Sequence, residues 1–397
     1  MGDNEKPAYR VCHMTTAHPF PDVRIFCKEC ITLAGAGYNV SLLVQREHGK
    51  QEIINGIEIV PLPKASGRIH RMLALPWRAF MAALRQKADL YHFHDPELLP
   101  VGVLLSLLTH GRVIYDAHES YSKQMLYKTY MPVPFRKFFS FATMAAERVA
   151  SFFISGAVAA TGDIKAELTF FKNCVSVRNY PVKKSFPNVK REEQAGADSN
   201  VFRVVYSGTM SAERGVGQAV RSLEYCRAGR QLRLVLCGRF DAGYENQIKA
   251  LKGFESVDNI GFLAPDKVPV ILDTCDAGIV CLLPEKNYLR SLPVKLFEYM
   301  AAGLPVIASN FPLWREIVEG NGCGICVDPL KPEEIAHAID RLAGDPEEAK
   351  RMGQRGRKAV EELYNWEKEG EKLLSFYEEI LVGSFPKVRK ESEKSKK

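Results

Sequence analysis

The residues best suited to chemistry lie in Ser291–Ser309, SLPVKLFEYMAAGLPVIAS. Val294, Leu296, Phe297, Met300 and Ala301 are apolar at helical spacing. Ser291-Leu292-Pro293 reads as the turn that starts the helix, and Gly303-Leu304-Pro305 stops it before a buried strand at Val306–Ser309. One acid, Glu298, sits among the apolar neighbours. An unpartnered buried acid is expensive, so Glu298 is expected to point at a polar ligand. The free N–H groups and positive dipole end at the helix start suit a phosphate. Tyr206–Gly217, YSGTMSAERGVG, fits the same anion. Its small residues, Gly208 among them, let backbone approach a phosphate, and Arg214 would neutralise it. Lys295 offers a second cation from the facing helix start.

A second group of polar residues lies in the first half. In Tyr91–Pro100, YHFHDPELLP, His94 stands at a strand end, where an imidazole can hydrogen-bond a hydroxyl. His92 is expected on the other strand face, packed. Asp116, His118 and Glu119, in VIYDAHESY, follow the next strand and open toward the same rim. They suit an acceptor, although capping and loop ordering explain them as well. In His18–Glu29, HPFPDVRIFCKE, Asp22 is an N-cap for the following helix. Arg24 in the first turn opposes the helix dipole, which points to an anionic ligand or acceptor contact.

The chain has 397 residues, enough for two domains with separate cores. Hydrophobic residues make up 46% and charged residues 25%, as in soluble globular proteins. The net charge of +7 suits an anionic substrate or membrane surface and demands neither. No signal-peptide pattern or membrane-spanning apolar run is visible, so the expected location is cytoplasmic, with contact to the inner membrane face as an extension. Cys27-x-x-Cys30 and Cys323-x-x-Cys326 have the spacing of zinc half-sites, but reduced, mostly buried thiols are the expectation, with no metal. Met131–Ala150 interleaves Phe135, Phe138, Phe139 and Phe141 with Arg136 and Lys137. With residues 68–85 it forms either a basic, aromatic membrane-resting face or a helix packed into the first domain. The tail Pro386–Lys397, with six Lys/Arg and two Glu, reads as a solvated tail or a weak contact with acidic lipids.

Both halves repeat one strand–helix grammar. Strands are expected at Tyr9–Thr15, Tyr38–Val44, Gly56–Leu62, Leu90–His94, Val113–Tyr115, Phe152–Ala160 and Cys174–Val177, with helices at Arg24–Gly35 and Met72–Lys87. In the second half, strands are expected at Phe202–Ser207, Leu232–Cys237, Val257–Phe262, Ala277–Leu282, Val306–Ala308 and Cys326–Val327. Glu333–Leu342, Glu347–Glu362 and Trp366–Leu381 read as amphipathic helices. Such alternation implies α/β domains with parallel sheets covered on both faces. A nicotinamide enzyme is disfavoured, because no glycine lies between Met14 and Ile25, where a G-x-G-x-x-G fingerprint would stand.

Ser291–Tyr299 satisfies a Ser-x-Pro-x-Lys-x-Phe-Glu-Tyr pattern, and on it the chain resembles a subgroup of the large retaining glycosyltransferase family often called GT4. His94 in YHFHDPELLP and the Asp-x-Arg-Ile-Phe-x-Lys-Glu run from Asp22 to Glu29 carry the same resemblance. It implies a GT-B architecture: two doubly wound Rossmann-like domains facing across a cleft, with a C-terminal helix crossing back to the N-terminal domain. The expected division is an acceptor domain at 1–181, a linker at 182–201, a nucleotide-sugar domain at 202–365, the crossing helix at 366–385 and the basic tail at 386–397. It implies that Glu298 holds the donor ribose, and that Ser291, Leu292 and Pro293 face the diphosphate. Gly208 and Thr209 line the phosphate loop, with Arg214 in the place of the usual lysine and Thr209 in that of the first cation. Gly261 and Phe262 hold the base through backbone, with Arg239 beside the nucleotide. His94 would lie near the transferred sugar, with Arg214 and Lys295 on the leaving group. Asp22, Arg24, His118 and Glu119 would face a glycan or lipid-linked acceptor. The family's other glutamate, eight residues before Glu298, is here Arg290. The implied activity is transfer of a sugar from a nucleoside diphosphate with retention, without metal or cofactor, in building bacterial surface polysaccharide. A sugar-nucleotide epimerase of the same shape, or a non-catalytic nucleotide-sugar-binding partner in an assembly complex, are the alternatives. Nucleic acid is not an expected partner.

Overall fold

The computed structural model describes residues 9–46, 49–127, 131–186 and 200–383. They form two compact units, one of residues up to Val177 together with those from Gly370, the other of Arg178–Glu369. The basic tail and positions 187–199 of the expected linker lie outside the described residues.

The first unit is built on eight strands: β1 (Arg10–Met14), β2 (Asn39–Gln45), β3 (Glu52–Ile54), β4 (Ile57–Leu62), β5 (Leu90–Phe93), β6 (Arg112–Ala117), β7 (Gly156–Ala159) and β8 (Cys174–Ser176). Their order is β3-β4-β2-β1-β5-β6-β7-β8. All neighbours are parallel except β3, which pairs antiparallel with β4. The β3–β4 turn is Asn55-Gly56, both at positive φ, the chemistry that a two-residue hairpin requires. β5 and β7 are buried at every position, as strands covered on both faces must be. The strand expected from Phe152 starts only at Gly156. Phe152 is exposed in the preceding turn, and the ring of Phe376 leaves no room for a Cβ at Gly156.

The second unit has six parallel strands: β9 (Val201–Ser207), β10 (Gln231–Cys237), β11 (Val257–Gly261), β12 (Ala277–Val280), β13 (Val306–Ser309) and β14 (Gly324–Val327). Their order is β11-β10-β9-β12-β13-β14, with one apolar cluster around Phe297, Tyr299 and Trp314 and another around Phe202, Ile279 and Ile339. Tyr180 belongs here, packing on Phe297 and Tyr364 with ring centroids 4.7 and 5.4 Å away. Tyr180 thus stands with the second unit, which begins at Arg178.

The helix Trp366–Val382 passes from one unit into the other. Beyond Gly370 it buries Leu373, Phe376, Tyr377 and Ile380 within the first unit. In each sheet the chain winds outward from one strand and then returns to that strand's other side: at β1/β5 in the first unit and β9/β12 in the second. Such reversals open a crevice at the carboxyl ends of the strands, where ligands of open α/β sheets bind.

Candidate functional site

At the β9/β12 reversal the backbone is crowded. Gly208 follows β9 at φ +115°. Gly215 has φ +71°, and a Cβ there would lie 1.7 Å from the Cys281 carbonyl oxygen. The loop carrying Arg214 therefore lies directly on the end of β12, where Leu283 N–H donates to the Glu213 carbonyl at 2.9 Å. The helix Val294–Ala301 is fixed to β9 by Tyr299, whose hydroxyl accepts from Ser207 N–H at 2.8 Å. Lys295 lies one turn earlier on that helix face. Its ammonium stands 3.7 Å from the centre of the Tyr206 ring, and a Cβ on Gly208 would lie 3.3 Å from it. Lys295 is 8% exposed, and among the described residues its Nζ has no hydrogen-bond partner. Burial, then the charge of Arg214, pulls its pKa well below the ordinary lysine range, against a smaller opposing pull from Glu298. A cation held this way, beside a second cation and a glycine, is arranged for an anion.

Glu298 is half-buried on the same helix. Ser291, Leu292 and Pro293 precede the helix, held where Trp314 Nε1 donates to the Ser291 carbonyl at 2.7 Å. Thr209 is exposed, and its carbonyl accepts from the Tyr206 hydroxyl at 2.7 Å. Gly238 N–H donates to the Gly261 carbonyl at 2.8 Å, which joins the ends of β10 and β11. There the Arg239 guanidinium lies 4.1 Å over the exposed Phe262 ring. The second unit thus brings together all of its expected donor residues at one end of its sheet.

The first unit differs from expectation. His92 and His94 share a strand face, with rings 4.7 Å apart, as a period of two dictates; the expectation of opposite faces is corrected. Both are fully buried. Arg24 is not free for a phosphate or acceptor. It is buried, pairs with both Asp116 oxygens at 3.1 Å, lies 3.0 Å from Glu29 and donates to the Val177 carbonyl at 2.8 Å. Asp116 and Glu29, not a ligand, offset its unfavourable place in the helix. Burial would raise the Asp116 pKa, but Arg24 and then His118 outweigh it and hold the carboxyl well below its usual range. His94 Nδ1 lies 3.3 Å from Asp116, and burial lowers the His94 pKa to about 4. Asp22 does cap the helix: its Oδ1 accepts from the N–H groups of Arg24 and Ile25, each at 2.8 Å. The helix itself opens as a π-helix over Ile25–Cys30. His118 is half-buried, 3.2 Å from Asp116, and Glu119 is exposed and pairs with Gln124.

Sequence reasoning missed His13, Glu29, Asp95 and Tyr377 as members of this polar centre. Asp95 is buried and accepts from Thr15 Oγ1 at 2.9 Å and Ala17 N–H at 3.1 Å, which fixes the loop after β1. Only the His-Asp-Pro run marked it. A cavity of about 600 Å³ opens elsewhere, at the amino ends of β1, β5 and β6, lined by Arg10, Lys87, Asp89 and Arg112. It lies at the sheet end opposite the crevice, so it is not the candidate site. All ten cysteines are free, and burial pushes Cys323 and Cys326 up to about 12, as suits inert thiols.

Residues 189–359 match the family model described as glycosyl transferases group 1. Alpha-D-kanosaminyltransferase of Streptomyces kanamyceticus is 28% identical over 191 residues, covering 47% of this chain and 48% of that protein. The chain spans about half the length of the curated relatives it matches. Sucrose-phosphate synthase from Thermosynechococcus elongatus superposes with a TM-score of 0.75 at 18% identity, covering 95% of this chain and 100% of that one. Anabaena HepE, solved with UDP-glucose, superposes with a TM-score of 0.68 at 15% identity, covering 93% and 99%. The structural likenesses establish the fold: two Rossmann-like α/β units with parallel sheets, of the GT-B class.

The isolated cation yields a stability prediction. Replacing Lys295 by Met keeps the stem and removes an unpartnered buried charge. Lys295→Met should stabilise the protein by about 1–3 kcal/mol in urea unfolding. A loss of stability would mean that the ammonium is a structural group.

Proposed function

We propose that the protein is a retaining glycosyltransferase that moves a hexose-like sugar from a nucleoside diphosphate to an acceptor hydroxyl in surface polysaccharide or glycolipid synthesis. The observation that carries this reading is the buried, unpartnered Lys295 ammonium beside Arg214 and Gly208, within the stretch that matches the group 1 glycosyl transferases. In this reading the diphosphate lies against Gly208, Thr209 and the start of the Val294–Ala301 helix. Lys295 and Arg214 take up the negative charge that grows on the leaving phosphate, and this stabilisation is the largest catalytic contribution. Lys295 supplies the cation that Thr209 does not. Glu298 holds the ribose, and the backbone at Gly261 and Phe262, with Arg239, holds the base. The acceptor approaches the face from which the diphosphate leaves and passes its proton to the departing phosphate, so configuration is kept. The first unit takes the acceptor through His118, Glu119 and Asp22, with His94 acting through Asp116 and His118 as a positioning group.

The chemistry assigned to the second unit predicts separable effects. Glu298→Ala should weaken donor binding about tenfold, and Arg214→Ala should lower kcat about 100-fold. Steady-state kinetics unchanged in both variants would contradict the assignment. An epimerase would release its product without an acceptor, which the same assay detects.

The membrane contact rests on a separate observation. The helix Leu99–Leu108 packs against both Arg68–Gln86 and Val133–Ala150. These helices expose Leu73 (73%), Trp77 (59%), Leu107 (60%), Phe138 (63%) and Phe141 (64%), with Arg71, Arg78, Arg136 and Lys137 on the same helices. Only Glu147 and Ala150 of Val133–Ala150 are buried, so this helix is not packed into the domain along its length. No helix among the described residues is long and apolar enough to cross a membrane. A surface of this kind lies on acidic lipid. The chain should float with vesicles containing phosphatidylglycerol, and Trp77→Glu with Phe141→Glu should release it. Equal recovery with neutral vesicles, or none with either, would contradict the contact.

A further inference from the structure

Four side chains converge in the interior of the first unit: His13 from the end of β1, His92 and His94 from the end of β5, and Glu29 from the π-helical turn. All four are fully buried. One ligand-type atom from each lies within 4.8 Å of all the others. His13 Nδ1 is 3.0 Å from His94 Nε2, and Glu29 Oε2 is 4.0 Å from His13 Nδ1 and 3.9 Å from His94 Nε2. Among the described residues, His92 Nε2 and Glu29 Oε2 have no hydrogen-bond partner.

Outer contacts hold the rings in place. His94 Nδ1 lies 3.2 Å from His118 Nε2 and 3.3 Å from the Asp116 carboxylate. His92 Nδ1 and His13 Nε2 both meet the Tyr377 hydroxyl, at 2.6 and 3.1 Å. Buried polar atoms left without partners, as His92 Nε2 and Glu29 Oε2 are, cost free energy, and a bound cation satisfies them. Each imidazole also has its far nitrogen held by a hydroxyl or carboxylate, the outer arrangement that orients metal-bound histidines.

We propose that His13, His92, His94 and Glu29 bind a divalent transition-metal ion of the zinc class. Three imidazoles and one carboxylate are a zinc-type donor set, and a tetrahedral site needs its ligand atoms about 3.3 Å apart, a small contraction of this cluster. With four protein ligands the site is closed, so the metal is structural. It ties β1, β5 and the π-helical turn together directly beneath Asp116 and His118. Glu29 bridges the ion and Arg24, which stays paired with Asp116. The cluster lies in the first unit and the proposed diphosphate chemistry in the second, so the two readings stand or fall separately.

The test is metal content and cobalt spectroscopy on the full chain. Protein produced in zinc-supplemented medium should carry about one zinc per chain. Glu29→Gln and His92→Gln should each reduce that content at least about tenfold, in line with loss of a ligand. The Co(II)-loaded unaltered chain should show the visible d–d bands of four-coordinate cobalt without thiolate charge-transfer absorption, a readout that needs no variant to fold. Zinc below about a tenth per chain, a thiolate-type cobalt spectrum, or unchanged content in both variants would overturn the site.

Discussion

Both units are governed by the handedness of parallel β-structure. Right-handed crossovers let the chain wind outward from a starting strand in one direction only, and a second direction requires a return to that strand's other side. The return happens beside β1 and again beside β9. At those points the covering helices part, and the polar residues of each unit collect there. Gly208, Arg214 and Lys295 meet at the second reversal, and His13, His92 and His94 at the first.

The two sites show opposite solutions to burying charge. In the first unit Asp116 is satisfied from several sides by Arg24, His94 and His118. A carboxylate compensated in this way costs little and fixes the geometry around it. In the second unit Lys295 has the face of Tyr206 beneath it, the like charge of Arg214 nearby, a weaker opposing pull from Glu298 and, among the described residues, no hydrogen-bond partner. A cation–π contact offsets only part of the cost of removing an ammonium from water. An apolar side chain would occupy the position at lower cost. The strain is consistent with a site that is completed by an anion.

The α/β class, and the gathering of the residues expected to hold a donor at one sheet end, were legible because local signals agreed with one another. Apolar runs, the Gly303-Leu304-Pro305 stop and the glycines at 208 and 215 all have backbone causes visible over a few residues. The hairpin at β3–β4 was equally visible in Asn55-Gly56 and was overlooked. The polar centre of the first unit was not legible. Its members are separated by up to hundreds of positions, from His13 to Tyr377, and Tyr377 occupies an ordinary apolar slot in its helix. Arg24 was misread for the same reason: its partner Asp116 lies two strands away in the sheet, so only its conflict with the local dipole could be seen. His92 and His94 were expected on opposite faces through a miscount: a period of two puts residues two apart on one face, as their rings 4.7 Å apart show.

The central claim is that Lys295 is held in readiness for a diphosphate, and proton linkage tests it most directly. Burial and Arg214 lower the lysine's affinity for a proton in the free protein, and a bound diphosphate raises it again. Calorimetric titration with the nucleoside diphosphate that gives the largest thermal shift among UDP, GDP, ADP, dTDP and CMP-type controls should be run from about pH 7 to pH 9 in buffers of different ionisation enthalpy. The account predicts net proton uptake on binding and an affinity that falls as pH rises, both lost in Lys295→Met. Binding with no proton exchange and no pH dependence over that range, or unaltered linkage in the variant, would contradict it.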